Sequence, residues 1–129
     1  MNREILFKAK RKDNGEWVEG DLLHTRHADV VLISDFKDQL FRCDGDTICQ
    51  YTGLTDKNGK KIWENDILKA NLDESYPEDI TYIKILWNEC RFCTNENYST
   101  GIETLEKQDA EYFQVCGNIF DNAELLEVE

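Results

Sequence analysis

The run QYTGLTDKNGKKIWENDIL, residues 50–68, constrains the fold more than any other part of the chain. An apolar approach through Tyr51 and Leu54 meets the polar step Asp56-Lys57-Asn58-Gly59-Lys60, and an apolar return follows through Ile62 and Trp63. Asn and Gly accept the positive φ that a tight hairpin loop demands, and Asp bonds readily to the backbone just after it. Two β arms joined by a short polar turn are therefore expected. Gly53 marks a bend or bulge in the first arm. Glu64-Asn65-Asp66 breaks the second before Ile67 and Leu68 open another strand. A chain re-aimed this often suits a strongly bent sheet or a small barrel.

The flanking sequence reads the same way. Residues 4–12 begin with Ile5, Leu6 and Phe7, turn cationic, and reach a tight turn at Asp13-Asn14-Gly15 before a strand-like return over 16–23. This predicts an N-terminal β-hairpin. Val30 to Ile33 form a continuous apolar run, expected to be a strand buried on both faces. Residues 36–45 carry apolar points at Leu40, Phe41 and Cys43 without a clear period. Residues 70–79, ANLDESYPED, are acidic, hold the only proline, Pro77, and form the best loop. Residues 80–87 predict a strand, and 91–94 its hairpin partner beyond an Asn88-Glu89 turn. Residues 95–111 show no usable period and are expected to be mainly irregular. A last strand is expected over 112–119 and a short helix over 122–127, capped by Asp121 or Asn122. The expected fold is mainly β, built of small bent sheets or a barrel-like arrangement with a short C-terminal helix. It forms one domain over 1–129, and any subdomain break falls at 70–79.

Composition narrows the function classes. A 40% hydrophobic fraction with 11% aromatics supports a packed core rather than disorder. Fifteen Lys and Arg against 27 Asp and Glu leave a net charge of −12 and a pI near 4.5. Nucleic-acid binding draws on cations that displace condensed counterions, so direct DNA or RNA binding is disfavoured unless the cations gather on one face. Anionic membrane surfaces are disfavoured for the same reason. The first residues contain no apolar signal core, and no run approaches the roughly 18 apolar residues of a membrane-spanning helix. These readings point to the cytoplasm. The five cysteines, Cys43, Cys49, Cys90, Cys93 and Cys116, are expected to be free thiols there.

Several residues invite a chemical reading and are better explained by structure. Cys90 and Cys93 form one C-x-x-C, half of a four-thiolate zinc site, but no second pair stands at a useful spacing. A redox role needs that pair at a helix N-terminus, and here it falls in a hairpin. His24 and His27 stand three apart, flanked by Asp21 and Asp29, in sequence that reads as strand and loop; a solvated loop is expected over a metal site or general base. Asp56, Asn58 and Gly59 echo part of a calcium loop. The twelfth position, however, is Ile67 rather than a bidentate Glu, and Lys57, Lys60 and Lys61 oppose a cation. Turn chemistry explains them. Trp17, Trp63 and Trp87 are expected in the core, with an interface anchor as the alternative. No catalytic, cofactor-binding or metal-ligating set is assigned.

The opening run resembles the signature of the YopX family of phage and prophage proteins, Q-Y-T-G-L-x-D-x-N-G-x-x-I-(Y/W)-x-x-D-I. Two further segments agree in order. FKAKRKDNGEWVEG, residues 7–20, is similar to the family's opening pattern ending in W-V-x-G. VCGNIFDNAELL, residues 115–126, is similar to its closing V-x-G-N-I-(Y/F)-(D/E)-N-x-E-L-L. Asn65 departs from the pattern, since many members have Gly before the Asp; Asn also tolerates left-handed backbone angles, so the corner should survive. The resemblance implies a mostly-β fold and an origin in a bacteriophage or prophage. It brings no catalytic residues with it. The expected function is therefore that of a small non-enzymatic accessory protein, homo-oligomeric or bound to a host or phage protein. The alternatives are an acidic nucleic-acid mimic occupying a host DNA- or RNA-binding protein, and a metal- or thiol-dependent enzyme using His24 and His27 or Cys90 and Cys93.

Overall fold

A computed structural model describes residues 4–27, 29–37, 39–96 and 102–126. The protein is mainly β, with antiparallel sheets that do not close into a barrel. It divides into two compact units at Tyr51/Thr52, inside the run that opens the signature. The 70–79 loop lies within the second unit, between two of its strands.

In the first unit β1 (Phe7–Lys10) and β2 (Trp17–His24) form the N-terminal hairpin, in register Phe7↔Gly20 to Lys10↔Trp17. β3 (Val30–Ser34) and β4 (Leu40–Asp44) extend it by two antiparallel pairings, and β1 also pairs with the start of β5 (Cys49–Thr55). Alternate side chains of β3 are buried, Val31 and Ile33 fully, while Val30 and Leu32 on the other face are only half-buried. That strand was expected to be buried on both faces. It alternates because one face packs on Ala9 and Cys43 and the other is partly open. A 3-10 turn, Gly45–Thr47, follows β4, and its Thr47 Oγ1 accepts a hydrogen bond from the Lys10 amide at 2.9 Å. The sheet bends until the end of β1 meets β4. Arg11 and Cys43 form an isolated bridge, and the Lys12 amide donates to the Arg42 carbonyl at 2.9 Å.

In the second unit the later part of β5 leads through the turn into β6 (Lys61–Trp63). β7 (Asp66–Ala70), β8 (Thr81–Asn88), β9 (Arg91–Glu96), β10 (Glu103–Thr104) and β11 (Gln114–Asn118) form a sheet of order β10-β9-β8-β7-β11. Its core gathers Ile62, Leu68, Ala70, Ile83, Ile85, Ala110 and Phe113. The stretch over 95–111, expected to be irregular, contains β10 and a short helix, α1 (Lys107–Tyr112). KQDAEY is too short and polar to show an apolar stripe, and one buried residue, Ala110, holds it to the core. Its start is set by a local bond, the Glu106 amide donating to Asp109 Oδ2 at 2.9 Å. Ala123–Leu126 forms a 3-10 turn where a short helix was expected; the last residue of that expected span, Glu127, lies outside the described residues.

Candidate functional site

The Asp56 carboxylate accepts three backbone amides. Asp56 is buried, with 6% of its surface exposed. Its Oδ1 accepts hydrogen bonds from the amides of Asn58 and Lys60, both at 2.9 Å, which fixes the turn. Its Oδ2 accepts from the Val115 amide at 2.8 Å, tying the turn to β11. Burial pushes this carboxyl up, but the three backbone donors, from Val115, Lys60 and Asn58, together with the Lys60 charge, outweigh it and hold the group below the ordinary carboxylate range. A carboxylate so engaged is an acceptor for the backbone. It is not poised as a general acid or base.

The rest of the signature is used the same way. Asp66 is buried and its Oδ2 accepts from the Trp63 amide at 2.8 Å. Asn65 has a left-handed φ of 73°, as its place in the motif requires; its amide donates to the Ile85 carbonyl at 2.7 Å and its carbonyl accepts from Ile119 at 3.0 Å. Gly53 bends β5 with φ 91°. Gly20 closes the W-V-x-G segment because a Cβ there would fall on the Ser34 carbonyl. In the closing segment a Cβ on Gly117 would lie 2.5 Å from Asn122 Oδ1, the atom that accepts from the Asn118 amide at 3.2 Å. Asn118 Oδ1 in turn accepts from Phe120 and Asp121, both at 2.9 Å. All three matched segments fix backbone geometry.

The other chemical candidates are dispersed. His24 ends β2 and His27 sits in the bend after it, both exposed. Cys90 is exposed at a hairpin tip and Cys93 is buried in β9, its thiol donating to the Asn88 and Arg91 carbonyls. Cys43 and Cys49 are buried in the first unit, and Cys116, half-buried in β11, donates to the Ile67 carbonyl at 3.4 Å. Burial pushes the Cys43 and Cys116 thiols above the ordinary thiol range. Among the described residues no three His, Cys, Asp or Glu side chains gather where a metal ion would be held.

Two surface features bear on binding. Trp63 is buried, but Trp87, expected in the core, is 51% exposed. Trp87 shares the core face of β8 with Ile83 and Ile85, yet β8 and β9 run past the end of that core. There it stands edge-on to Phe92, its partner across the hairpin, with ring centroids 4.9 Å apart. The tip beyond has Glu89 and Cys90 at φ 50° and 65°, two non-glycine residues in the left-handed region. Arg91 braces it, donating to Thr104 Oγ1 at 2.7 Å and pairing with Glu89 at 3.3 Å.

In the first unit a hollow of about 310 Å³ is lined by Arg11, Lys12, Asp13, Leu40, Phe41 and Arg42, where the bent sheet brings the end of β1 to β4. Arg11 forks onto Asp13 at 2.6 and 2.9 Å and its guanidinium lies 4.7 Å from the Phe41 ring centre. Nearby on β1, Lys8 and Lys10 lie over the half-buried Trp17 ring. Sequence reasoning missed this hollow. Its one visible signal was the cationic run KAKRK, and Arg42 joins that run only through strand pairing.

A family profile described as YopX protein matches residues 6–127, nearly the whole chain. Among solved structures, protein EF1440 from Enterococcus faecalis is similar, with a TM-score of 0.65 and 24% identity, over 98% of this chain and 100% of that one. That likeness shows the fold. No curated protein matches the sequence.

Proposed function

The chain belongs to the YopX family, and we propose that it is a phage or prophage accessory protein that works in the host cytoplasm by binding other proteins, without catalysis, and that it forms homo-oligomers. The observation that carries this reading is the exposed Trp87, set edge-on to Phe92 at the end of the β8–β9 hairpin. A large aromatic side chain held by strand pairing loses little freedom on binding, which is why Trp so often anchors interfaces. The signature residues support the reading from the other side: Asp56, Asp66 and Asn118 accept backbone amides, so these polar side chains of the motif serve the backbone.

The test is Trp87→Ala. Its side chain is half exposed, so the variant should fold with a stability loss of about 1 kcal/mol, the scale of one aromatic pair. Co-purification from the bacterial host after cross-linking, with wild type and variant at matched levels, should recover a protein that the variant loses. A wild type that is strictly monomeric and recovers no protein would sink the reading.

A second reading is favoured by the charge distribution. Residues 52–129 hold seven Lys and Arg against seventeen Asp and Glu, whereas residues 1–51 hold eight against ten. So acidic a second unit suits a mimic that occupies the basic site of a host DNA- or RNA-binding protein. Competition with nucleic acid for the recovered partner, lost when acids of the second unit are neutralised, would support this version over the first.

A further inference from the structure

The charge asymmetry and the cationic hollow of the first unit are complementary surfaces on one chain. We infer that the Arg11–Lys12–Arg42 hollow receives the acidic 70–79 loop of a second copy, joining copies head to tail; this rests on the oligomeric reading above and names its surfaces.

The hollow offers what an acidic, partly apolar segment needs. Three cations line it against one acid, and that acid, Asp13, is already engaged by Arg11. Its apolar lining is Phe41 and Leu40, the latter 59% exposed, and Phe36 on the neighbouring turn is 73% exposed. Large apolar side chains this open beside clustered cations mark a surface that is completed by binding. β4 borders the hollow with its Arg42 carbonyl already taken by the Lys12 amide, so the side chains of the hollow receive the loop.

The 70–79 loop carries the matching chemistry on a prepared frame. Asp73, Glu74, Glu78 and Asp79 are exposed, and beside them Leu72 is 49% and Tyr76 62% exposed. The loop is not slack. Asn71 Oδ1 accepts from the Asp73 amide and Asp73 Oδ1 from the Ser75 amide, both at 2.9 Å. Asn71 Nδ2 donates to the Tyr76 carbonyl at 3.0 Å, and the Tyr76 and Asp79 amides donate to the Asp73 and Tyr76 carbonyls. A loop pre-shaped by its own bonds pays less to order on docking. Its carboxylates meet Lys12 and Arg42, and Tyr76 meets the Phe41–Leu40 side. Hollow and loop are different patches, so the contact is heterologous and links copies in a ring or chain.

The experiment is sedimentation velocity of the full chain at about 50 mM and about 0.5 M salt, where the screening length falls several-fold. Wild type should associate at low salt and dissociate at high salt. Lys12→Glu/Arg42→Glu and, separately, Glu74→Lys/Glu78→Lys should each weaken association roughly tenfold or more, since the first turns attraction into repulsion and the second cancels the charge of the loop. All four side chains are solvent-exposed, and circular dichroism checks that both variants fold. Mixing the two variants should restore association, because the unaltered loop of the first meets the unaltered hollow of the second. Association of wild type that neither variant changes would overturn this inference while leaving the oligomeric reading standing; a wild type monomeric at every concentration would overturn both. A single-stranded oligonucleotide that binds wild type and not Lys12→Glu/Arg42→Glu, with self-association unaffected, would assign the hollow to nucleic acid instead.

Discussion

Replacing Asp56 by Asn keeps the shape of the side chain and removes half of its acceptor capacity. In the wild type one oxygen serves the Asn58 and Lys60 amides and the other serves Val115. An Asn can offer its carbonyl to the turn or to β11, and whichever it chooses, its NH₂ then faces a backbone N–H. The bond to Val115 is to a charged acceptor at a half-buried site, worth about 1.5–3 kcal/mol net. The turn bonds lose charge assistance, about 0.5 kcal/mol each, because Asn58 and Lys60 are exposed and water partly replaces it. The variant should therefore lose about 3 kcal/mol, and Asp56→Ala somewhat more. Urea unfolding followed by the fluorescence of the buried Trp63, in the same unit, reads this as a midpoint lowered by roughly 1–2 M. The loss depends on pH with a fixed sign. The folded Asp56 carboxyl is held below its unfolded value, so its contribution is complete above the unfolded pKa and is lost as pH falls through the folded one. The gap between wild type and Asp56→Asn should accordingly close in acid. An Asp56→Asn protein as stable as wild type at neutral pH, or a gap unchanged between neutral pH and acid, would refute the reasoning.

Other expectations follow from single residues. Gly20→Ala should cost at least about 2 kcal/mol in thermal unfolding, because its Cβ meets the rigid Ser34 carbonyl rather than a movable side chain. Asn65→Gly should be close to neutral, whereas Asn65→Val should cost about 1–2 kcal/mol, since a β-branched residue resists φ 73°. Ile85→Ala, at a fully buried position of the second core, should cost roughly 2–5 kcal/mol. Thiol titration of the folded protein should show Cys90 reacting first and Cys43, Cys49 and Cys93 only on unfolding, with Cys116 slow because burial raises its pKa.

The hairpins were legible in the sequence because their signals are local. Asp13-Asn14-Gly15 and Asp56 to Lys60 declare turns by residue type, and the β8–β9 hairpin was marked by its Asn88-Glu89 break. Asn65 was legible too, since a motif position usually held by Gly asks for a left-handed angle. What stayed hidden depends on distant partners. Asp56 looked like turn chemistry alone, because its bond to Val115 spans 59 positions. Trp87 looked like core because it continues the apolar alternation of Ile83 and Ile85, and only the position where the core ends leaves it exposed. The cationic hollow needed the bend that carries Arg42 to the end of β1. α1 rests on one buried alanine, too little for any pattern.

The central claim, that the family signature is spent on holding the backbone, is tested most directly by NMR titration of the Asp56 carboxyl carbon together with the Val115 amide. The account predicts one transition below the ordinary aspartate range, with the Val115 amide shift following the same midpoint. An Asp56 that titrates at or above the ordinary value, or a Val115 amide blind to its protonation, would contradict it.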